Sequence, residues 1–92
     1  MNKFNDKAAE AIFNGYRTPA LPQHIQRAAY RKLRMLVAAS SLKDLMVPPG
    51  NHLEKLSGDR SGQYSIRIND QYRICFEWID NEAYNITFED YH

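Results

Sequence analysis

The sequence has little cysteine and no long apolar run, and each shortage excludes a class of protein. Cys75 is the single cysteine among 92 residues, so a disulfide within the chain is excluded and a reducing cytoplasm is the expected compartment. Because no run of about 18 apolar residues occurs, a membrane-spanning helix is not expected. No apolar block near Met1 has the character of a secretory signal. The histidines, at positions 24, 52 and 92, lack the spacing of metal ligands, so neither a metal nor another cofactor is expected.

Basic residues are absent from the last part of the chain. Residues 74–92 contain five Asp and Glu but no Lys or Arg, whereas residues 1–73 contain all 12 basic residues beside six acidic ones. The net charge of +1 therefore conceals a basic part and an acidic part. The basic part suits a polyanion, and the acidic part could pair with it inside the fold. Charge alone leaves both interpretations open.

The remaining composition is that of one small globular domain covering residues 1–92. With 43% hydrophobic and 25% charged residues, the chain can form a single core, and disorder is excluded. Asp6 as an N-cap and Gly15 as a stop signal predict a first helix over residues 6–13. Pro22, which suits the first turn of a helix, begins a second predicted helix over residues 22–39.

The second predicted helix has two opposite stripes. Apolar side chains at helical spacing are expected to face the core: Ile25, Ala29, Leu33 and Leu36. Basic side chains occupy the opposite side, and we call them the arginine stripe: Arg27, Arg31 and Arg34. A solvated face is the commoner role of such a stripe, and a binding surface for RNA is the alternative.

The second half of the chain changes from a helical period to a period of two. Residues 40–50 are predicted to form a loop that ends in a Pro-Pro-Gly turn. Beyond it, alternating apolar and polar side chains predict three half-buried strands within residues 64–68, 72–78 and 84–89, and residues 52–56 are a further short candidate. The expected fold class is therefore α+β, with two N-terminal helices packed on a small antiparallel sheet.

The same alternation predicts which strand residues face each other. If Ile68 and Tyr72 share the core face, they pair across a three-residue loop, and Arg67 lies opposite Arg73 on the other face. Two arginines in this arrangement repel each other by up to about 1 kcal/mol. A counter-charge beside them is therefore expected.

The source of that counter-charge is open between two alternatives. Pairing Phe76 with Ile86 across the second hairpin brings Glu89 opposite Arg73, which makes Glu89 and Glu77 the candidate protein partners. The alternative is a phosphate held between the two guanidinium groups, whose fixed fork of donors suits phosphate oxygens.

A small set of residues remains for chemistry on or near the predicted sheet. Cys75 lies in the middle of a strand, where a small buried thiol is a commoner role than a nucleophile. The remaining candidates are Arg60, Arg67, Arg73, Tyr91 and His92. Cutting RNA without a metal requires a base for the 2′-hydroxyl, cations for the phosphate and an acid for the leaving oxygen. Arginine and histidine are the side chains best suited to these tasks.

Four segments of the chain resemble the HigB toxin family. They are PPGNHLE at 48–54, GDRSG at 58–62, SIRINDQYRICF at 65–76 and DYH at 90–92. That family belongs to the RelE/ParE superfamily, and the chain most resembles its GraT-like branch. The likeness covers essentially the whole sequence and is most specific from residue 48 to residue 92.

The resemblance implies a RelE-like fold and a definite activity. Members of this kind are ribosome-dependent endoribonucleases that cleave mRNA in the decoding site and thereby inhibit translation. The implied partners are the ribosome with its rRNA, the mRNA, and a HigA-type helix-turn-helix antitoxin, through which alone operator DNA would be contacted.

The resemblance also implies roles for individual residues. The catalytic set would be Arg73, Asp90, Tyr91 and His92. Residue chemistry, apart from the resemblance, makes His92 the expected proton donor, and Tyr91 is expected to orient the nucleotide or assist in proton transfer. The residues expected to bind RNA are Arg60 and Arg67, with Lys55 or His52 as compensating groups in the loop, and the arginine stripe predicted from helical spacing: Arg27, Arg31 and Arg34. Glu54 and Ser57 stand where some members have a His and a Lys, which implies a toxin of modest potency.

Two alternatives to a ribonuclease remain at this point. One is a toxin that occupies the ribosome or another target without cutting. The other is a gyrase inhibitor, as in some ParE relatives, which the terminal Asp-Tyr-His disfavours.

Overall fold

The first helix begins at the cap that the sequence predicts. In the computed structural model, which describes residues 3–90, helix α1 spans Lys7–Phe13. One carboxylate oxygen of Asp6 accepts hydrogen bonds from the amides of Ala8 at 2.8 Å and Ala9 at 3.4 Å. The other oxygen accepts one from the amide of Phe88 at 3.0 Å, so Asp6 also ties this helix to the last strand. The predicted helix start is confirmed.

Helix α2 spans Gln23–Ala38 and carries both predicted stripes. Pro22 stands at its N-cap, where the missing N–H of proline is not needed. The apolar stripe is buried as predicted: Ile25, Ala29, Leu33 and Leu36. The arginine stripe is exposed. The helix therefore turns one side to the core and a basic side to solvent.

Residues 40–50, predicted as a loop, contain a third helix. Helix α3 spans Leu42–Met46, and a 3₁₀ turn follows at Pro49–Asn51. The loop prediction was wrong because a helix of five residues is too short to show a helical period. Leu45 is fully buried and anchors the short helix in the core. The carboxylate of Asp44 accepts hydrogen bonds from the backbone amide and the hydroxyl of Ser40, just before this helix.

Four antiparallel strands form one sheet in chain order. They are β1 at Glu54–Lys55, β2 at Gln63–Arg67, β3 at Tyr72–Ile79 and β4 at Glu82–Asp90. A second 3₁₀ turn, Gly58–Arg60, lies between the first two strands. The described residues thus form an α+β fold with three helices and a four-stranded antiparallel sheet.

The register agrees with alternation up to a bulge in β4. Arg67 lies opposite Arg73, and Arg73 lies opposite Glu89, as predicted. Between Cys75 and Glu77 the register shifts by one residue, and Asn85 has a left-handed φ of 53°. The extra residue reverses the alternation beyond it. Ala83 is buried as a result, whereas uninterrupted alternation from Ile86 would place Tyr84 on the core face.

One hydrophobic core lies between the helices and one face of the sheet. The strands contribute Ile66, Ile74, Phe76, Ala83 and Ile86, which pack with buried residues of all three helices. Within residues 3–90, no helix combines the length and the apolar character needed to cross a membrane.

Candidate functional site

The candidate residues lie mainly on the side of the sheet that faces away from the core. We call it the polar face, and alternation assigns to it Gln63, Ser65, Arg67, Arg73, Cys75, Glu77, Thr87 and Glu89. Arg67, Arg73 and Glu89 form one row across three strands. The structure therefore brings together the two facing arginines that the sequence predicted.

Arg73 lies on this face, as alternation predicted, and it is buried there. It is only 8% exposed, because the turn at residues 49–52 and the start of β1 cover it. Its Nε donates to Ser65 Oγ at 2.8 Å, and Nη2 donates to the carbonyl oxygens of Ser65 and His52. A buried guanidinium requires such partners, because an unpaired one loses its hydration without compensation.

The counter-charges of the two facing arginines come from residues that alternation did not predict. Arg67 forms an ion pair with Asp70, three residues later in the hairpin. Arg73 Nη1 lies 3.8 Å from a carboxylate oxygen of Glu54, whose side chain is 57% exposed. The predicted partner Glu89 instead forms an ion pair with Arg60. In the region that the structure describes, protein carboxylates therefore supply part of the counter-charge.

Arg60 reaches across the polar face to Glu89. Both terminal nitrogens of its guanidinium donate to the two oxygens of the Glu89 carboxylate, and Nε and Nη2 donate to Gln63 Oε1 at 3.2 and 3.0 Å. The hydrogen bond from Arg60 lowers the pKa of Glu89, and partial burial opposes this effect. A polar pocket of about 290 Å³ lies beside this pair and includes Glu77, whose carboxylate accepts a hydrogen bond from Asn85.

The remaining predicted residues are more dispersed. His52 and Lys55 are exposed, and His52 has a left-handed φ of 42° at the end of the turn. Asp90 is exposed at the end of β4, where it accepts a hydrogen bond from Gln71 Nε2 at 3.1 Å. Because Asp90 pairs with Tyr72, alternation turns it away from the polar face. Tyr91 and His92 lie outside the described residues.

Two functional candidates escaped the sequence reasoning. Lys32 Nζ donates to Oδ1 of Asn51, and the fully buried amide of Asn51 donates from Nδ2 to the carbonyl oxygen of Leu45 at 3.0 Å. Burial, followed by the charges of Arg31 and Arg67, lowers the pKa of Lys32. The only signal in the sequence was that Lys32 adjoins the arginine stripe.

The arginine stripe borders a second depression, between α1 and α2. Arg34 lies over the ring of Phe13 at 4.3 Å and near that of Tyr30 at 5.4 Å. A groove of about 410 Å³ next to it includes Tyr16 and Arg27 in its lining. Exposed arginines and aromatic rings of this kind can bind phosphates and bases.

The polar face and the adjoining turn hold basic side chains in fixed positions, and such side chains can bind an anion. Lys32, Arg67 and Arg73 contribute three positive charges at one end of the sheet, and the predicted site residues His52 and Asp90 are exposed. Within the described part of the chain, no three His, Cys, Asp or Glu side chains converge as they would around a metal ion.

Comparison with known proteins gives a family match along nearly the whole sequence. Residues 2–92 match the family model described as the RelE-like toxin of type II toxin-antitoxin system HigB. Toxin HigB-1 of Vibrio cholerae serotype O1 is 43% identical over 91 residues, which are 98% of this chain and 95% of that protein.

Two further relatives match over shorter stretches. Endoribonuclease HigB of Proteus vulgaris is 45% identical over 40 residues, 44% of each chain. An uncharacterized protein of Haemophilus influenzae is 38% identical over 69 residues, 75% of this chain and 68% of that protein.

Proposed function

The chain belongs to the HigB family of RelE-like toxins from type II toxin–antitoxin systems, and on that premise we propose that it cleaves mRNA on the ribosome. The observation that carries the proposal is the match to the family over residues 2–92. The relative named as an endoribonuclease supports the cleavage reaction. A RelE-like packing of α1 and α2 on one face of the sheet, within a single domain of residues 1–92, belongs to the same proposal.

The proposed catalytic residues are Arg73, Asp90, Tyr91 and His92. Arg73 would hold the scissile phosphate through Nη1, the nitrogen that faces the exposed carboxylate of Glu54 at 3.8 Å. This contact is long and the carboxylate is solvated, so an RNA phosphate can replace it. His92 would donate a proton to the leaving oxygen, and Tyr91 would orient the nucleotide.

Glu54 offers a physical reason for modest potency. Its carboxylate competes with RNA phosphate for Arg73, and it adds a negative charge close to where the phosphate would bind. A histidine at this position, as the resemblance implies for some members, would bring no such competition. Lys55 and His52, both exposed, are the candidate replacements for the missing loop groups.

The proposed RNA contacts extend beyond the cleavage site. Arg60 and Arg67 already have carboxylate partners, so they would bind RNA phosphates by exchanging those partners or by adding a second one. The exposed arginine stripe, Arg27, Arg31 and Arg34, would contact rRNA.

Membership in a type II toxin–antitoxin system implies an antitoxin partner. We infer that this antitoxin is a HigA-type helix-turn-helix protein, and that operator DNA is contacted only through it. The inferred place of action is the cytoplasm, where ribosomes and mRNA are found. No metal or other cofactor is part of the proposed mechanism.

Mapping mRNA 5′ ends after induction tests the reaction directly. New ends within translated codons are expected with the wild-type chain, and none with a chain that lacks His92. Binding of both proteins to ribosomes is measured in parallel by co-sedimentation, and the deletion should leave it unchanged. Growth inhibition without new ends would identify a toxin that binds without cutting, and arrested gyrase would identify the ParE-like alternative.

A further inference from the structure

Two cations near the proposed cleavage site donate hydrogen bonds to neutral oxygens of one turn. The turn at residues 49–52 accepts a hydrogen bond from Lys32 through the amide oxygen of Asn51. It accepts another from Arg73 through the backbone carbonyl of His52. Lys32 comes from helix α2 and Arg73 from strand β3, so two consecutive turn residues fix side chains from two separate elements.

We propose that Asn51 is a positioning residue that holds Lys32 as a positively charged phosphate ligand beside Arg73. The inference deepens the proposed function and rests on it, because the phosphate in question is that of RNA. It adds Lys32 to the RNA-binding residues and assigns to Asn51 a role without direct contact with RNA.

The chemistry of the acceptor is the first argument. A carboxylate partner would cancel most of the positive charge of a lysine, whereas an amide oxygen orients the ammonium group and leaves its full charge for an anion. Arg60 and Arg67, by contrast, form ion pairs with Glu89 and Asp70. Lys32 is thus held in place with its charge available.

The rigidity of Asn51 is the second argument. The side chain is fully buried, and Nδ2 donates to the carbonyl oxygen of Leu45 at 3.0 Å and approaches the sulfur of Met35 at 3.7 Å. These contacts leave the amide a single orientation, with Oδ1 toward Lys32. A fixed acceptor reduces the entropy that a flexible lysine loses when it binds a phosphate.

The surrounding charge is the third argument. Arg31 on α2 and Arg67 on β2 are close enough to Lys32 to disfavour its charged form, which burial also disfavours. Positive side chains this close together repel each other, which disfavours their charged forms unless an anion binds between them. A phosphate bound between them would relieve that repulsion, which is what an anion site requires.

The substitution Asn51→Asp tests the role of a neutral acceptor with almost no change in shape. It places a carboxylate against Lys32 and removes the donor to Leu45. Asn81→Asp, in the exposed turn between β3 and β4, is the matched control because it adds the same charge far from the site. The probe is a short single-stranded RNA oligonucleotide, whose affinity is measured over a range of salt concentrations without any need for cleavage.

The expected result is a loss of RNA affinity of about tenfold or more for Asn51→Asp at low salt, with a salt slope smaller by about one, as for the removal of one phosphate contact. Lys32→Met, which removes the charge itself, should cause a loss of the same order. Because Lys32 is only partly buried, Lys32→Met keeps the inference testable if Asn51→Asp fails to fold.

The contrary results are equally definite. A folded Asn51→Asp variant, or a folded Lys32→Met variant, that binds the oligonucleotide as tightly as the Asn81→Asp control overturns the inference. So does a wild-type chain that does not bind the oligonucleotide at low salt. A wild-type chain that binds RNA but cuts no mRNA on programmed ribosomes overturns the proposed function instead, and leaves the binding role of Lys32 to be judged by affinity.

Discussion

Two regions of this molecule hold basic side chains in opposite ways. At the turn of residues 49–52, an amide and a carbonyl oxygen orient Lys32 and Arg73, and the exposed carboxylate of Glu54 lies 3.8 Å from Arg73. Elsewhere on the polar face, carboxylates pair with arginines, most completely where Glu89 meets Arg60. Neutral acceptors fix a cation and preserve its charge, while carboxylates fix it and cancel that charge. The number of basic residues therefore says less about anion binding than the type of acceptor beside each one.

The largest effect is expected from Arg73→Ala. The substitution removes the hydrogen bonds that Arg73 donates to Ser65 and His52, and it removes most of a buried side chain. A loss of about 3 kcal/mol in the free energy of unfolding is therefore expected. Denaturant titration measures it, and Arg67→Ala in the same row is the matched control, which should cost less than about 1 kcal/mol. Equal losses for the two variants would contradict the distinction between the buried and the solvated arginine.

A large effect on binding is expected from reversing the arginine stripe. Replacing Arg27, Arg31 and Arg34 by Glu should weaken ribosome co-sedimentation about tenfold or more at low salt and flatten its salt dependence. The reversal of two other exposed basic residues, Lys7 and Lys43, changes the net charge by four where the stripe variant changes it by six, and it is the control for net charge. Unchanged sedimentation of the stripe variant would return the stripe to the role of a solvated face.

A smaller effect, an increase in the rate of mRNA cleavage, is expected from Glu54→Gln. The substitution removes the carboxylate that competes for Arg73, and the contact is a solvated ion pair worth at most about 1 kcal/mol. Cleavage of mRNA on programmed ribosomes should rise roughly 1.5- to 5-fold at subsaturating enzyme. Glu82→Gln, which removes an exposed carboxylate near Lys3, is the control. Slower cleavage by Glu54→Gln would show that the carboxylate orients Arg73 and does not compete for it.

The smallest effect is expected from Glu89→Gln, and it depends on pH. The hydrogen bond from Arg60 lowers the pKa of Glu89 in the folded state below its usual 4.5. The pair therefore stabilises the fold above that value, and the stabilisation disappears as pH falls through the lower, folded-state pKa. At neutral pH the variant should be less stable by under about 1 kcal/mol, because both side chains are partly solvated. A stability difference that persists in strong acid would contradict this account.

Much of the fold could be predicted because the signals involved are local. Asp6 lies next to the amides that it caps, and alternation over a few residues was enough to place Arg67 opposite Arg73. Both depend on geometry that repeats within a helical turn or a strand pair. The bulge at Asn85 escaped prediction, since one residue with a left-handed φ leaves no periodic trace.

For the candidate site, the sequence could name many of the residues but not their contacts or their burial. The two facing arginines followed from register, the arginine stripe from the helical period, and Asp90 from the family resemblance. The roles of Lys32 and Asn51 did not follow, because 19 positions separate the two residues and no pattern connects them. The burial of Arg73 was likewise hidden, since alternation assigns a side chain to a face but does not tell what covers that face.

The sequence by itself thus determined helices α1 and α2, the strands, the register up to the bulge in β4 and the overall charge of the surface, because these depend on residues close together along the chain or on a regular period. Only the tertiary structure decided which basic side chains are paired with carboxylates and which with neutral oxygens. That choice depends on how the turn at residues 49–52 packs against α2 and the polar face. Long-range packing brings these acceptors to their cations, and a buried cation must take whatever hydrogen-bond acceptors the packing provides.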